Sequence, residues 1–231
     1  FILVNPNNPT GNYLSQEDQA VLSGFLNHGD LAYISDEVFF DFSYPGTSRE
    51  PWTPLGCLSF RLGGLSKSLG LPQLKLSWIV LGGPPEQVLE CRERLELIAD
   101  SYLSVNGPVQ GALPELLQWA PEFRAQVLER VMGNRRILER AIARSGFLRL
   151  WPAQGGWYAL VEIRQGSDRW ENDALIAIEL SRKEGVLTHP GGFYDLTGGK
   201  FLVLSLLPTL EVFQEGIERM IRFFSEAALR T

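Results

Sequence analysis

The chain has 231 residues, 45% of them hydrophobic and 21% charged, with a formal net charge of −6. That is ordinary globular composition, with room for one large domain or two modest ones. The acidic balance lacks the Lys/Arg block of a nucleic-acid binder, and no apolar run approaches the roughly 20 residues of a membrane span, so neither partner is expected.

Residues 1–4 read as a short buried strand ending at NPNNPTG, a stretch rich enough in Asn, Pro and Gly to be loop. Residue 1 is Phe, inside the apolar run FILV, so the chain is expected to be a fragment or a processed product. Ser15 and Asp18 make a capping box, and Val21, Leu22, Phe25 and Leu26 follow at helical spacing until Gly29. Residues 31–35, 57–62 and 76–81 read as three further strands bounded by Gly and Pro. Strand, helix, strand in that order predicts an α/β fold with a parallel sheet. Pro84 and Pro85 open a helix through about Ala99, a second runs from about Val109 to a break at Pro121, and residues 122–145 form one long helix. After Gly146 strands at 147–151, 157–163 and 201–207 alternate with helices at about 172–184 and 211–228, which predicts a small α+β domain. The boundary is placed near residue 135, giving domains 1–134 and 135–231.

Three polar loops follow apolar strands in the first half, at residues 5–11, 35–41 and 63–70. In a parallel sheet such loops share the crevice beyond the carboxyl ends of the strands, where ligands collect. Together they offer an amide (Asn8), a carboxylate (Asp36) and an amine (Lys67). Singly, each has a plain structural reading as a turn residue, a strand-end cap and a solvated lysine. As a set they match one cofactor: a lysine can hold a carbonyl as a Schiff base, a carboxylate can keep a pyridine nitrogen protonated, and an amide can hydrogen-bond a phenolate.

NPNNPTG, SDEV and GLSKSLGLPQLKLSW resemble, in order and approximate spacing, three motifs of the class I and II aminotransferases, the pyridoxal 5'-phosphate (PLP) enzymes of fold type I. The resemblance runs over essentially the whole chain. It implies the fold type I architecture, incomplete: part of a mostly parallel large-domain sheet with helices, then a small C-terminal domain. By it Lys67 forms the internal aldimine and moves the substrate's α-proton, Asp36 pairs with the pyridinium nitrogen, and Asn8 donates to the ring oxygen. Ser66 and Lys75 would hold the phosphate. The resemblance also implies an N-terminal portion absent here, an amino donor and a 2-oxo acid as substrates, and a homodimer when whole.

Three positions depart from the family pattern. Phe39 stands where a tyrosine usually hydrogen-bonds the ring oxygen. Gly64 replaces a common serine, and Lys75 an arginine, keeping the charge but not the bidentate fork. At FLVLSLLP the family's carboxylate-clamping arginine is replaced by Val203, which strand alternation puts on one face with Phe201 and Ser205.

Other features carry less. QGGWY at 154–158 reads equally as a substrate-side segment of the family or a plain strand entry. His28 and His189 are isolated, without the carboxylate spacing of a metal site. Cys57 and Cys91 are too few for a disulfide framework, which makes a reducing compartment, the cytoplasm, the expected location. The leading expectation is a transaminase that is inactive as this chain alone. The alternatives are a PLP-dependent lyase or decarboxylase of the same fold, a PLP-sensing effector domain of a transcription regulator, and a noncatalytic scaffold.

Overall fold

The structure is a computed structural model that describes residues 1–26, 31–54, 56–102, 104–164 and 169–228. His28 and the helix stop expected at Gly29 lie outside the described residues. The chain divides into two compact units, Phe1–Asn7 with Asn12–Ala125, and Asn8–Gly11 with Gln126–Thr231.

The first unit carries β1 (Ile2–Val4), α1 (Gln16–Leu26), β2 (Ala32–Asp36), β3 (Leu58–Gly64), the one-turn helix α2 (Leu65–Ser68), a 3-10 turn at Pro72–Leu74, β4 (Ser77–Gly82), α3 (Pro85–Ser101) and α4 (Gly107–Gln118). The sheet order is β1-β2-β3-β4, with Val4 level with Asp36 and Asp36 level with Leu62. The expected parallel sheet holds for β1 to β3, but β4 runs antiparallel to β3. The link from Gly64 to Ser77 holds only α2 and the 3-10 turn, too little helix for a parallel crossover, so the chain doubles back on its own strand.

The capping box of α1 forms as expected: Asp18 N–H donates to Ser15 Oγ at 3.1 Å and Ser15 N–H to Asp18 Oδ2 at 3.2 Å. Leu22 and Leu26 of that helix pack with Leu3, Tyr33, Trp52 and Cys57, covering one face of the sheet. A second core gathers Leu65, Leu69, Leu76 and Ala120 with side chains of α4, Val109, Leu113 and Leu116.

The long helix α5 (Ala120–Ser145) is shared in sequence by both units, which meet between Ala125 and Gln126, earlier on the same helix than the expected boundary. Pro121 sits in its first turn, where a missing N–H costs nothing, so the helical break falls at Trp119 instead.

The second unit continues with β5 (Leu148–Leu150), β6 (Tyr158–Ile163), α6 (Asp173–Glu184), β7 (His189–Pro190), a 3-10 turn at Gly191–Tyr194, β8 (Phe201–Ser205) and α7 (Leu210–Ala228). Its sheet, β5-β6-β8-β7, is antiparallel throughout. Trp170 lies against Phe223 and Phe224, and Phe147 against Phe224, so aromatic rings fill this core. Asn134 of α5 is fully buried and donates through Nδ2 to Leu206 O at 2.9 Å and Pro208 O at 2.8 Å, which fixes the chain leaving β8. No helix among the described residues is long and apolar enough to cross a membrane.

Candidate active site

Asp36 is the last residue of β2, and its placement begins with backbone. Its carbonyl accepts from Asn5 N–H at 2.9 Å, and Asn5, buried, also accepts Leu14 N–H on Oδ1 at 3.0 Å. The Asp36 carboxylate accepts Val38 N–H on Oδ1 at 3.1 Å. Oδ2 has no hydrogen-bond partner among the described residues. One oxygen orients the group, and the other is left to accept a donor.

The turn after β2 carries Phe39 and is tied down on several sides. Phe40 N–H donates to Glu37 O, and Phe42 N–H to Phe39 O, both at 2.9 Å. Phe40 O accepts Tyr13 OH at 2.8 Å and a guanidinium N–H of Arg49. Burial pushes the Tyr13 phenol well above its usual range, with Arg49 opposing the shift, so the hydroxyl remains a donor. Asp41 pairs with Arg49 at 3.4 Å and with Arg124 at 2.7 Å. Tyr13 and Arg124 lie far along the chain from the turn they hold, and Arg49 follows it in a stretch without helical or strand periodicity, so no local pattern marks them.

Lys67 is presented by α2. Leu65, fully buried, anchors that turn in the second core, and its N–H donates to Leu76 O at 3.1 Å. Ser68 Oγ donates to Gly64 O at 2.9 Å. Two residues along a helix is more than half a turn, so anchoring Leu65 inward turns Lys67 away from the core. Lys67 Nζ stands 5.5 Å from the centroid of the Phe39 ring, a cation–π contact that joins the Asp36 turn to the lysine's helix. Phe39 itself is buried. Gly64 opens α2, and a Cβ there would lie 3.1 Å from Ser77 Cβ and 3.2 Å from Leu76 O. Close packing of β3 on β4 gives glycine a reason at this position independent of phosphate.

Ser66 is half-buried on α2 beside Lys67. Lys75 is exposed and closes the 3-10 turn in the left-handed region, φ 52°. Gly70 has φ 64°, and a Cβ there would stand 2.7 Å from the Phe123 ring. The first unit thus brings together Asp36, Phe39, Ser66 and Lys67, with Lys75 at the next turn.

Asn8 is exposed and falls in the segment grouped with the second unit. That segment is pinned there at Gly11, whose carbonyl accepts Gln154 N–H at 2.9 Å and Gly155 N–H at 3.0 Å. The QGGWY stretch is paired with Gly11 through its backbone and leads into β6. Val203 is buried on β8, level with Leu160 and His189, in a cluster with Leu160, Phe201, Tyr158 and Tyr194. His189 opens the short β7, and its Nδ1 lies 2.9 Å from Tyr194 OH. No group of His, Cys, Asp and Glu suited to a metal ion occurs among the described residues.

The donor set of the first unit fits PLP chemically. A primary amine (Lys67) suits its aldehyde, a carboxylate oxygen still open (Asp36 Oδ2) suits a pyridinium N–H, and a hydroxyl with an ammonium (Ser66, Lys75) suits a phosphate.

Comparison with known proteins extends these observations. Residues 1–218 match the sequence profile of the family described as aminotransferase class I and II. A glutamate-pyruvate aminotransferase AlaA from Haemophilus influenzae is 26% identical over 98% of this chain and 57% of its own length. A tyrosine aminotransferase from Caenorhabditis elegans is 25% identical over 89% of this chain and 44% of its own. Among solved structures, an alanine aminotransferase from Pyrococcus furiosus superposes with a TM-score of 0.84 at 21% identity, over 97% of this chain and 57% of that one. The chain therefore spans about half the length of the curated relatives it matches.

Proposed function

This chain belongs to the class I and II aminotransferase family, and we propose that the protein carrying it moves an amino group between an amino donor and a 2-oxo acid with PLP as cofactor. The fold is that of fold type I, seen here in part. Bound PLP supplies an electron-withdrawing ring that stabilises the charge left when a substrate α-proton departs. In this reading Lys67 Nζ would hold the cofactor's carbonyl carbon and, once a substrate amine has displaced it there, would be free to move the α-proton. Asp36 Oδ2 would accept the ring N–H, Ser66 and Lys75 would bind the phosphate, and Asn8 would donate to the ring oxygen. Phe39 contributes a ring face to the lysine and no phenol.

The observation that carries the reading is the presentation of Lys67, turned out of the core by Leu65 and set 5.5 Å over the Phe39 ring on the turn that Asp36 opens. Val203 adds a substrate-side feature. It is buried in an apolar cluster with Leu160 and Phe201, so this position supplies no cation for an α-carboxylate clamp. Val203→Arg is expected to tighten binding of α-amino acids, read as amino-acid-induced spectral change, and no gain in affinity counts against a vacant clamp. Homodimer formation and a cytoplasmic location belong to the same proposal; Cys57 and Cys91 are both free thiols. The test of the function is oxo-acid formation from a panel of amino donors by the protein carrying this chain. Ammonia release or decarboxylation in place of transfer would move it to a lyase.

A further inference from the structure

We propose that the Glu37–Arg61 ion pair positions the Asp36 carboxylate, an inference that rests on Asp36 serving the cofactor as set out above. Glu37 follows Asp36 directly, so whatever fixes Glu37 fixes the peptide that carries the aspartate. The Glu37 side chain is 8% exposed and Arg61 22%. Glu37 Oε2 accepts Nε and Nη2 of Arg61 at 2.9 and 2.7 Å, and Oε1 accepts Ser35 OH at 3.1 Å.

Ser35 and Arg61 are register partners on β2 and β3. By alternation their side chains stand on the sheet face opposite Asp36. The pair thus clamps together, from behind, the two strands whose ends carry Asp36 and the helix of Lys67. Glu37 and Arg61 also line one cavity of about 150 Å³ with Gly64 and Ser68, the two ends of the hydrogen bond that ties α2.

The backbone completes the device. Glu37 N–H donates to Leu62 O at 3.0 Å, and Asn5 N–H to Asp36 O at 2.9 Å. With the peptide held on both sides, Val38 N–H meets Asp36 Oδ1 at 3.1 Å and Oδ2 is the oxygen left open. A guanidinium giving two hydrogen bonds to an enclosed carboxylate fixes direction as well as distance.

A pair that serves only stability can be replaced by two apolar side chains at little cost, because neither charge is then left unpaired. A positioning pair cannot. The decisive variant is therefore the double change Glu37→Met with Arg61→Met in the protein carrying this chain. It is expected to keep the wild-type melting behaviour, to bind PLP roughly tenfold more weakly, the scale on which orienting partners act on a bound group, and to lose protection of the Val38 amide from hydrogen exchange without any cofactor present. If the double variant fails to fold, Arg61→Lys retains the charge without the fork and is expected to weaken PLP binding about threefold, a change of well under 1.4 kcal/mol. Wild-type PLP affinity and Val38 protection in a folded variant overturn the inference. Asp36→Asn separates the two levels: if it leaves PLP affinity unchanged, the reading of Asp36 has failed, whereas a weakened Asp36→Asn beside an unaffected pair variant rejects the positioning role alone.

Discussion

In the first unit β2 ends on Asp36 and β3 runs into the helix of Lys67, while in the second unit β8 keeps Phe201 through Leu204 buried and turns outward only at Ser205. Both sheets alternate faces with the same period, yet they use their strand ends differently. The first holds polar groups in place with charged and backbone contacts: Arg61 on Glu37, Arg124 on Asp41, Tyr13 on Phe40 O. The second is filled by packed rings, Phe147, Trp170, Phe223 and Phe224. Under the proposed function the polar contacts around Asp36 and Lys67 serve the cofactor and the packed rings serve stability, so changes in one set should move one property without the other.

The largest expected effect tests that separation. Phe224 is 1% exposed, and Phe224→Ala is expected to cost about 3–5 kcal/mol in denaturant unfolding. Lys67→Ala removes one cation–π contact and is expected to cost about 1 kcal/mol or less, while abolishing covalent capture of PLP. Equal stability losses would break the comparison. Next, Phe39→Tyr restores a phenol donor toward the ring oxygen, which is expected to lower the pH midpoint of the bound cofactor's absorbance change by about one unit, or ~1.4 kcal/mol. An unchanged spectral titration removes that argument.

Smaller effects sharpen it. Lys75 occupies the left-handed region, which costs an ordinary residue free energy that glycine does not incur. Lys75→Gly is expected to raise stability by about 0.5–1 kcal/mol and to weaken PLP binding, so a gain in both would exclude Lys75 from the phosphate site. In the second unit burial raises the pKa of Glu179, but hydrogen bonds from Lys183 and Trp170 and the charges of Lys183 and Arg169 outweigh it, holding the carboxyl below its ordinary 4.5. A depressed folded pKa gives stability that is present above the unfolded value and lost as pH falls through the folded one. The advantage of wild type over Glu179→Gln in thermal unfolding should therefore be flat above the ordinary value and shrink on further acidification; growth of the advantage on acidification would reverse the sign.

Much of this organisation is legible in the sequence where the signal is local. The capping box at Ser15, the strand before SDEV and the long helix after Pro121 rest on spacing within a few residues. Lys67 and Asp36 stood out through short motifs. What escaped the sequence is long-range or very short. Arg61 meets Glu37 across 24 residues, with no periodicity to announce it. β7 has only two residues, fewer than alternation needs to register. The direction of β4 depends on the length of helix between strands, which composition does not report. Asn8 precedes Asp36 and Lys67 in the order of motifs along the chain, yet its segment belongs to the second unit, where the Gly11 carbonyl accepts the N–H groups of Gln154 and Gly155.

Lys67 is, in the proposed function, the residue this protein presents to its cofactor. The chain has four lysines, Lys67, Lys75, Lys183 and Lys200, so borohydride reduction in the presence of PLP followed by peptide mass analysis gives an unambiguous answer. A reduced pyridoxyl group is expected on the Lys67 peptide alone, and none after Lys67→Ala. A label spread over Lys75, Lys183 and Lys200, or a protein carrying this chain that binds PLP without labelling at Lys67, would contradict it.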